Sequence, residues 1–244
     1  MSNLRFYTAE NLKTGATVQL SENAAAHATR VLRLQISDKI VLFNGDGNDY
    51  TCAITSIKKT EALVIVKGFS QIRNESPLNI TLLQGISSGD RMDYTIQKTV
   101  ELGATASVPI ITTRSVVKLS NERAEKRLAH WQNVVHAACE QSGRAFVPQV
   151  AAPISLSSWL ANSTYSSSTR ILLNPIGALR LAELPKPTHP IELLIGAEGG
   201  LSQTEIDTAL SQGFQSVILG ARILRTETAA LVAISAMQTL WGDF

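Results

Sequence analysis

Cysteine is nearly absent from this chain: Cys52 and Cys139 are the only two in 244 residues. Neither has a CxxC neighbour or a nearby histidine cluster, which excludes a disulfide framework and a cysteine-based metal site. Both are read as buried, reduced thiols of a cytoplasmic protein. Aromatic residues make up 5% and charged residues 17%, yet 44% of the chain is hydrophobic, which excludes global disorder. No run approaches the roughly 18 to 20 apolar residues that span a bilayer, so no membrane partner is expected. The start, Met1-Ser-Asn-Leu-Arg-Phe-Tyr7, lacks the basic and then apolar pattern of a secretory signal. His130, His136 and His189 show neither metal nor triad spacing, and no Gly-x-Ser-x-Gly elbow occurs. No metal and no hydrolytic nucleophile are therefore expected.

The net charge of +2 conceals an asymmetry. Residues 1–150 carry 17 Lys/Arg against 13 Asp/Glu, whereas residues 151–244 carry 5 against 7. A mildly basic front joined to a mildly acidic back fits a polyanion-binding part attached to a cofactor-binding part, as do scattered surface lysines.

The first seventy residues read as β-rich. Strands are expected near 4–7, at 39–43, 50–57 and 62–66, with dense turn chemistry in Asn44-Gly-Asp-Gly-Asn-Asp49 and a short helix over 22–34. Such spacing predicts a small barrel. The polar stretch 67–77 reads as a boundary, giving domains 1–72 and 73–244. From residue 79 strands alternate with helices: strands at 79–84, 107–111, 170–173, 191–195 and 215–219, helices at 90–103, 121–142 and 155–160. The segment 162–169 reads as a polar loop. That rhythm predicts an α/β domain with a parallel sheet covered on both faces. The last helix, 226–240, is apolar nearly all round, so a second copy of the chain is expected to cover it, making a homodimer.

Two strand-to-helix turns stand out. The first is Leu193-Leu-Ile-Gly-Ala-Glu-Gly-Gly-Leu-Ser202; the second is Leu219-Gly-Ala-Arg-Ile-Leu-Arg-Thr-Glu-Thr-Ala229. In α/β proteins the sheet edge, free backbone N–H groups and helix N-termini meet at such turns. The first is neither GxGxxG nor a phosphate loop. Ser202-Gln-Thr-Glu205 reads as a capping box that fixes the helix start, and leaves the glycine turn with Glu198 as either a ligand cradle or a solvated bend. In the second, Arg222 and Arg225 flank apolar Ile223 and Leu224, and Thr226 reads as a helix cap. Basic or polar positions suited to phosphate contact are His27, Arg30 and Arg33 on the first helix, Arg91 and Lys98 seven apart on a later one, Arg114 and Lys118 after a strand, and Gln141 and Arg144 at the end of the long helix. Each is equally a solvated surface group.

These residues fall in blocks that resemble a known family. His27-Ala-Thr-Arg-Val-Leu-Arg33, Gln97-Lys-Thr-Val-Glu-Leu-Gly103, Ala138-Cys-Glu-Gln-Ser-Gly-Arg144, Ile195–Ser202 and Leu219–Ala229, in that order, resemble the bacterial 16S ribosomal RNA uridine-N3 methyltransferases of the SPOUT class. The resemblance implies an N-terminal PUA-like β-barrel for RNA, a C-terminal SPOUT domain with a deep trefoil knot, and a homodimer. It implies S-adenosylmethionine as cofactor, 16S rRNA in the small ribosomal subunit as partner, and a decoding-region uridine as target. The donor is expected against Leu173, Asn174, Ile195, Gly196, Glu198, Gly199, Gly200, Leu219, Gly220, Ile223 and Leu224. Arg225 is expected to stabilise the uracil anion and Glu198 to orient the donor, while Arg222 joins the RNA-contacting positions. Ala197 and Ala221 stand where the family usually has proline, and Ser88 where a basic residue is common, which implies looser loops and one RNA contact fewer. A different rRNA or tRNA nucleotide, or a non-catalytic RNA-binding assembly factor, are the rival readings.

Overall fold

The computed structural model describes residues 4–58, 61–115, 121–162, 168–176 and 179–244. Packing divides the chain into two units. One is residues 1–75 with 136–147; the other is 76–135 with 148–244. The first unit is thus assembled from two separate stretches of sequence.

In that unit β1 (Arg5–Tyr7), β2 (Thr17–Gln19), β3 (Lys39–Phe43), β4 (Asn48–Lys58) and β5 (Glu61–Gln71) form one mixed sheet in the order β1-β3-β4-β5-β2. Only β1 and β3 run parallel. Register shifts at Thr51/Cys52 and Ile54/Ser56 interrupt the β4–β5 ladder, and such bulges bend a sheet around its core. The sheet is open between β1 and β2 among the described residues. β5 continues to Gln71, through the first part of the stretch expected as a boundary, because its backbone goes on pairing with Asn48–Tyr50. β2 escaped the sequence reading: three residues with one buried side chain carry no period. Helix α1 (Glu22–Ala26) starts on Ser21, whose hydroxyl accepts from Ala24 N. The helix expected to reach residue 34 widens at 27–31, where Leu32 N bonds His27 O, and stops before Arg33 at φ +55°. Phe6, Leu42, Cys52, Ile54, Val64 and Val66 fill the core.

The long helix, α3 (Asn121–Ser142), runs as expected; its last residues belong to this first unit. His136 stacks on Tyr7 with ring centroids 3.7 Å apart, and Glu140 accepts from Tyr7 N. Arg5 donates to Cys139 O and pairs with Asp49. Burial pushes the Cys139 thiol up to about 12 and Cys52 to about 11, so both stay protonated and inert.

Arg144 departs from its expected role. It is 5% exposed, and its guanidinium grips Glu75, with Nη2–Oε2 at 2.5 Å. It holds the C-terminal stretch of the unit to the end of the N-terminal one instead of presenting a charge to phosphate.

The second unit is an eight-stranded parallel sheet. Its strands are β6 (Ile80–Gly85), β7 (Ala106–Ile111), β8 (Gln149–Val150), β9 (Ile154–Ser155), β10 (Thr169–Leu173), β11 (Leu179–Arg180), β12 (Ile191–Ile195) and β13 (Gln215–Ile218). The order is β11-β13-β10-β12-β6-β7-β8, with β9 also on β7. Alternation along the central strands feeds two cores. Leu82, Ile171 and Leu193 face one side, which α6 (Thr226–Trp241) covers with Ala230, Ile234 and Met237. Leu83, Leu172 and Leu194 face the other, under α4 (Leu156–Asn162) and α5 (Gln203–Ser211). This double burial is why these strands read as unbroken apolar runs. Helix α2 (Arg91–Glu101) buries Met92, Ile96 and Val100 along one face, the stripe its spacing predicts. Among the described residues no helix is long and apolar enough to cross a membrane.

Arg144→Ala should lower the stability of the protein by about 3 kcal/mol in urea unfolding, since it leaves Glu75 without its partner. Wild-type stability together with weakened RNA binding would restore the phosphate-contact reading of Arg144.

Candidate active site

The C-terminal ends of β10, β12 and β13 and the start of α6 enclose one cleft of about 840 Å³. That volume lies within the usual range for a small-molecule site, and the C-terminal edge of a parallel sheet is where such sites form. Leu173 and Asn174 line it after β10. Ile195, Gly196, Glu198, Gly199 and Gly200 line it after β12, and Leu219, Gly220, Ile223 and Leu224 after β13. Arg91, Arg114, Arg222 and Arg225 complete its charged rim.

The β12 turn is held from three sides. Ser202 caps α5 through the expected capping box, its hydroxyl accepting from Glu205 N and its own N–H donating to Glu205. Gly200, at φ +68°, donates to Ala197 O at 2.8 Å and closes the turn on itself. Ala197, standing where the resemblance has proline, is therefore fixed by a hydrogen bond and by burial. From beneath, Gly85 at the end of β6 comes so close that a Cβ on it would sit 2.2 Å from Ala197 N. Only glycine lets β6 pass there.

Thr226 supplies the third hold, and here the structure corrects the sequence reading. The N-cap of α6 is Arg225, without a side-chain capping bond. Thr226 is the first helical residue, and its hydroxyl donates to Gly196 O at 2.6 Å while accepting from Gln84 Nε2 at 2.7 Å. Gln84 is fully buried and its Oε1 has no partner among the described residues.

Charge is distributed unevenly around the cleft. Glu198 Oε1 accepts from Ser88 N at 2.8 Å, Ser88 Oγ at 2.9 Å and Arg91 Nη1 at 3.1 Å. Burial alone would raise the Glu198 carboxyl; the donors outweigh it and hold the group below its ordinary value. Ser88 thus serves Glu198 directly. Among the described residues the carboxylate of Glu227, in the first turn of α6, has only Arg91 Nε, at 3.9 Å. Arg114 donates to Gly199 O at 3.1 Å. Arg222 and Arg225 are exposed, and their guanidiniums bond to no described residue.

Other expected positions lie elsewhere. Lys98 pairs with Glu101 on α2, away from the cleft. His27, Arg30, Arg33 and Gln141 are exposed on the first unit. Lys118 lies outside the described residues. Gly85, Gln84 and Glu227 were missed. Gly85 and Gln84 precede no recognisable motif, whereas Glu227 lies inside the block Leu219–Ala229, where the glycine and the arginines are the stronger signals. No group of three His, Cys, Asp or Glu among the described residues is arranged to hold a metal ion.

Comparison with known proteins gives two matches to family models, an RNA methyltransferase domain over residues 74–238 and an RNA methyltransferase PUA domain over 20–67. Ribosomal RNA small subunit methyltransferase E of Buchnera aphidicola (Schizaphis graminum) is 36% identical over 98% of this chain and 97% of its own length. The chain belongs to the ribosomal RNA small subunit methyltransferase E family. Two solved structures align along nearly the whole chain. The Neisseria gonorrhoeae enzyme bound to S-adenosyl methionine is 48% identical, with a TM-score of 0.91 over 98% of both chains. A Legionella pneumophila methyltransferase in complex with the same cofactor is 35% identical, with a TM-score of 0.95 over 100% of both. The C-terminal unit of this family member is thus an RNA methyltransferase domain, and its N-terminal sheet a PUA domain.

Thr226→Val keeps the side chain's shape and removes its hydroxyl, depriving Gly196 O of its donor and leaving Gln84 Nε2 with Gly85 O alone among its described acceptors. Stability should fall by about 1–3 kcal/mol, with faster amide exchange confined to the β12 turn, and Thr226→Ser should recover most of it. Glu198 gives a second check. Because its folded carboxyl is held low, its contribution is complete above the unfolded value of about 4.3 and is lost as pH falls through the lower folded value. Glu198→Gln should therefore be the less stable protein at neutral pH and converge with wild type in acid.

Proposed function

We propose that this chain transfers the methyl group of S-adenosylmethionine to N3 of a uridine in 16S rRNA, uridine 1498 in the usual numbering, within the small subunit. The observation that carries the reading is the convergence of the β10, β12 and β13 turns on one cleft, rimmed by two arginines that have no partner among the described residues. The cleft suits the donor. Leu173, Ile195, Leu219 and Leu224 offer an apolar slot for a flat ring, and Glu198 offers negative charge to a cationic ligand. When bound, S-adenosylmethionine supplies an electrophilic methyl on a sulfonium.

The chain's own residues must then deal with the proton on uridine N3. Each unit by which the N3 pKa exceeds the ambient pH costs about 1.4 kcal/mol. A free guanidinium beside the developing anion at N3, O2 and O4 lowers that barrier, and Arg225 is placed for it. Methylation at N3 also needs an unstacked base, so the target is single-stranded or splayed. Exposed His27, Arg30 and Arg33 on the PUA unit suit the surrounding backbone phosphates.

Two further parts of the reading concern assembly. Val232 and Leu240 on α6 are 40% and 46% exposed, on a face that carries no charge beyond Glu227. A homodimer through that face removes them from water. The deep trefoil knot fits a chain that returns after β13 to seat Thr226 against the β12 turn. Work on ribosomal RNA agrees with a cytoplasmic location.

The test is transfer of labelled methyl to small subunits from cells lacking the endogenous activity, with the product nucleoside identified by mass. N3-methyluridine in 16S rRNA is the expected product; a different nucleoside would overturn the assignment. Arg225→Ala should lower kcat by about 10²–10³-fold while calorimetric donor binding persists. Near-normal turnover would remove Arg225 from the chemistry.

A further inference from the structure

The titratable groups lining the cleft are Arg91, Arg114, Glu198, Arg222, Arg225 and Glu227. Four are guanidiniums, which cannot accept a proton. Among the described residues, histidine, lysine, cysteine and tyrosine are absent from this lining. A proton leaving a nucleobase therefore has two side chains to go to among the described residues, and they differ. Glu198 carries three donated hydrogen bonds on one oxygen, and a carboxylate so bonded is a poor base. Glu227 has a side chain only 16% exposed, bonds to no described residue, and meets its nearest cation at 3.9 Å, beyond hydrogen-bond reach. A largely buried carboxylate without a hydrogen bond is unusual unless a ligand completes it.

We propose that Glu227 is the general base of this reaction; the inference rests on the N3-methylation reading above. Glu227 follows Thr226, which is bolted to Gly196 O and Gln84. The first turn of α6 is consequently fixed against the β12 turn, with Arg225 and Glu227 on either side of the anchor and both at the cleft. A uracil presenting N3 to Glu227 places a carbonyl oxygen toward Arg225. The N3 proton passes to the Glu227 carboxylate and the freed N3 pair bonds the methyl carbon. The C–S pair remains on sulfur as a neutral thioether, and the carboxyl then returns its proton to solvent. Arg91 from α2, Arg114 after β7, Glu198 from the β12 turn, and Arg222 and Arg225 before α6 are the charged groups that share the cleft with Glu227 among the described residues. Glu198, in this division, orients and Glu227 reacts.

Glu227→Gln is the test, run on the full-length protein with small subunits. Donor binding by calorimetry and melting temperature should stay near wild type, while kcat at neutral pH falls by about 10²–10⁴-fold. The variant's log kcat should climb by about one per pH unit on the alkaline side, because only hydroxide remains to take the proton. Wild type should be flatter over the same range. Small subunits containing 5-fluorouridine, whose N3 proton is more acidic, should recover much of the lost rate. Glu227→Asp, which keeps a carboxylate one methylene shorter, should retain more activity than Glu227→Gln and no hydroxide dependence. Turnover by Glu227→Gln within threefold of wild type would overturn the inference, as would a loss of rate that neither pH nor 5-fluorouridine relieves. Wild-type product other than N3-methyluridine would overturn the underlying reading first, and this inference with it.

Discussion

One hydroxyl fastens the active-site end of the sheet. Thr226 Oγ1 lies between Gly196 O and Gln84 Nε2, so a single atom ties β6, the β12 turn and the start of α6 together. The surroundings are dry: Gln84 is fully buried and Thr226 is 7% exposed. In such a place a hydrogen bond is stronger than at the surface, and an unmade one is correspondingly costly. The orphaned Oε1 of Gln84 shows how tightly the geometry is constrained. Its amide nitrogen serves Thr226 and Gly85 O, and turning the amide over would set oxygen against the Gly85 carbonyl.

From that anchor the rest of the site follows. The parallel sheet is sealed on both faces, so open backbone is left at the strand ends, and the ends of β10, β12 and β13 lie side by side there. Gly85 permits the β12 turn to settle onto β6, and the capping box on Ser202 sets where α5 departs. Each device fixes backbone and leaves the side chains at the mouth free. Ile223, 83% exposed, and the guanidiniums of Arg222 and Arg225, which have no partner among the described residues, stand at the mouth of that scaffold. Groups placed in that way contribute to binding and catalysis more than to folding.

Local pattern accounts for what was legible beforehand. Helix α3 and strands β3 and β12 begin and end where their periodicity and turn residues put them, and Ser202 and Glu205 announce their capping box in four residues. Contacts between distant residues account for what was not. Arg144 sits in a polar helix end, Gln141-Ser-Gly-Arg144, that reads as solvent-facing. Its burial depends on Glu75, 69 residues earlier. The return of 136–147 to the N-terminal unit depends likewise on Arg5 and Tyr7. Thr226 has the residue type and position of a cap, yet its partner is Gly196, thirty residues away. The cleft was legible because glycine and arginine mark it in sequence; its fastening was not, because glutamine and threonine in an apolar run mark nothing by themselves.

Ser88 explains how two carboxylates in one cleft come to differ. Its backbone and hydroxyl give Glu198 two uncharged donors, so Glu198 is satisfied with one guanidinium nitrogen of Arg91, at 3.1 Å. That contact draws Arg91 toward the β12 turn and leaves its Nε 3.9 Å from Glu227, too far for a hydrogen bond. A basic residue at 88 would bring a second cation to Glu198 and weaken its hold on Arg91. Arg91 would then be released toward Glu227, the carboxylate that the geometry otherwise leaves open. The serine keeps Arg91 on Glu198, and the difference of 0.8 Å between its two pairs separates a carboxylate held by three donors from one that Arg91 leaves open.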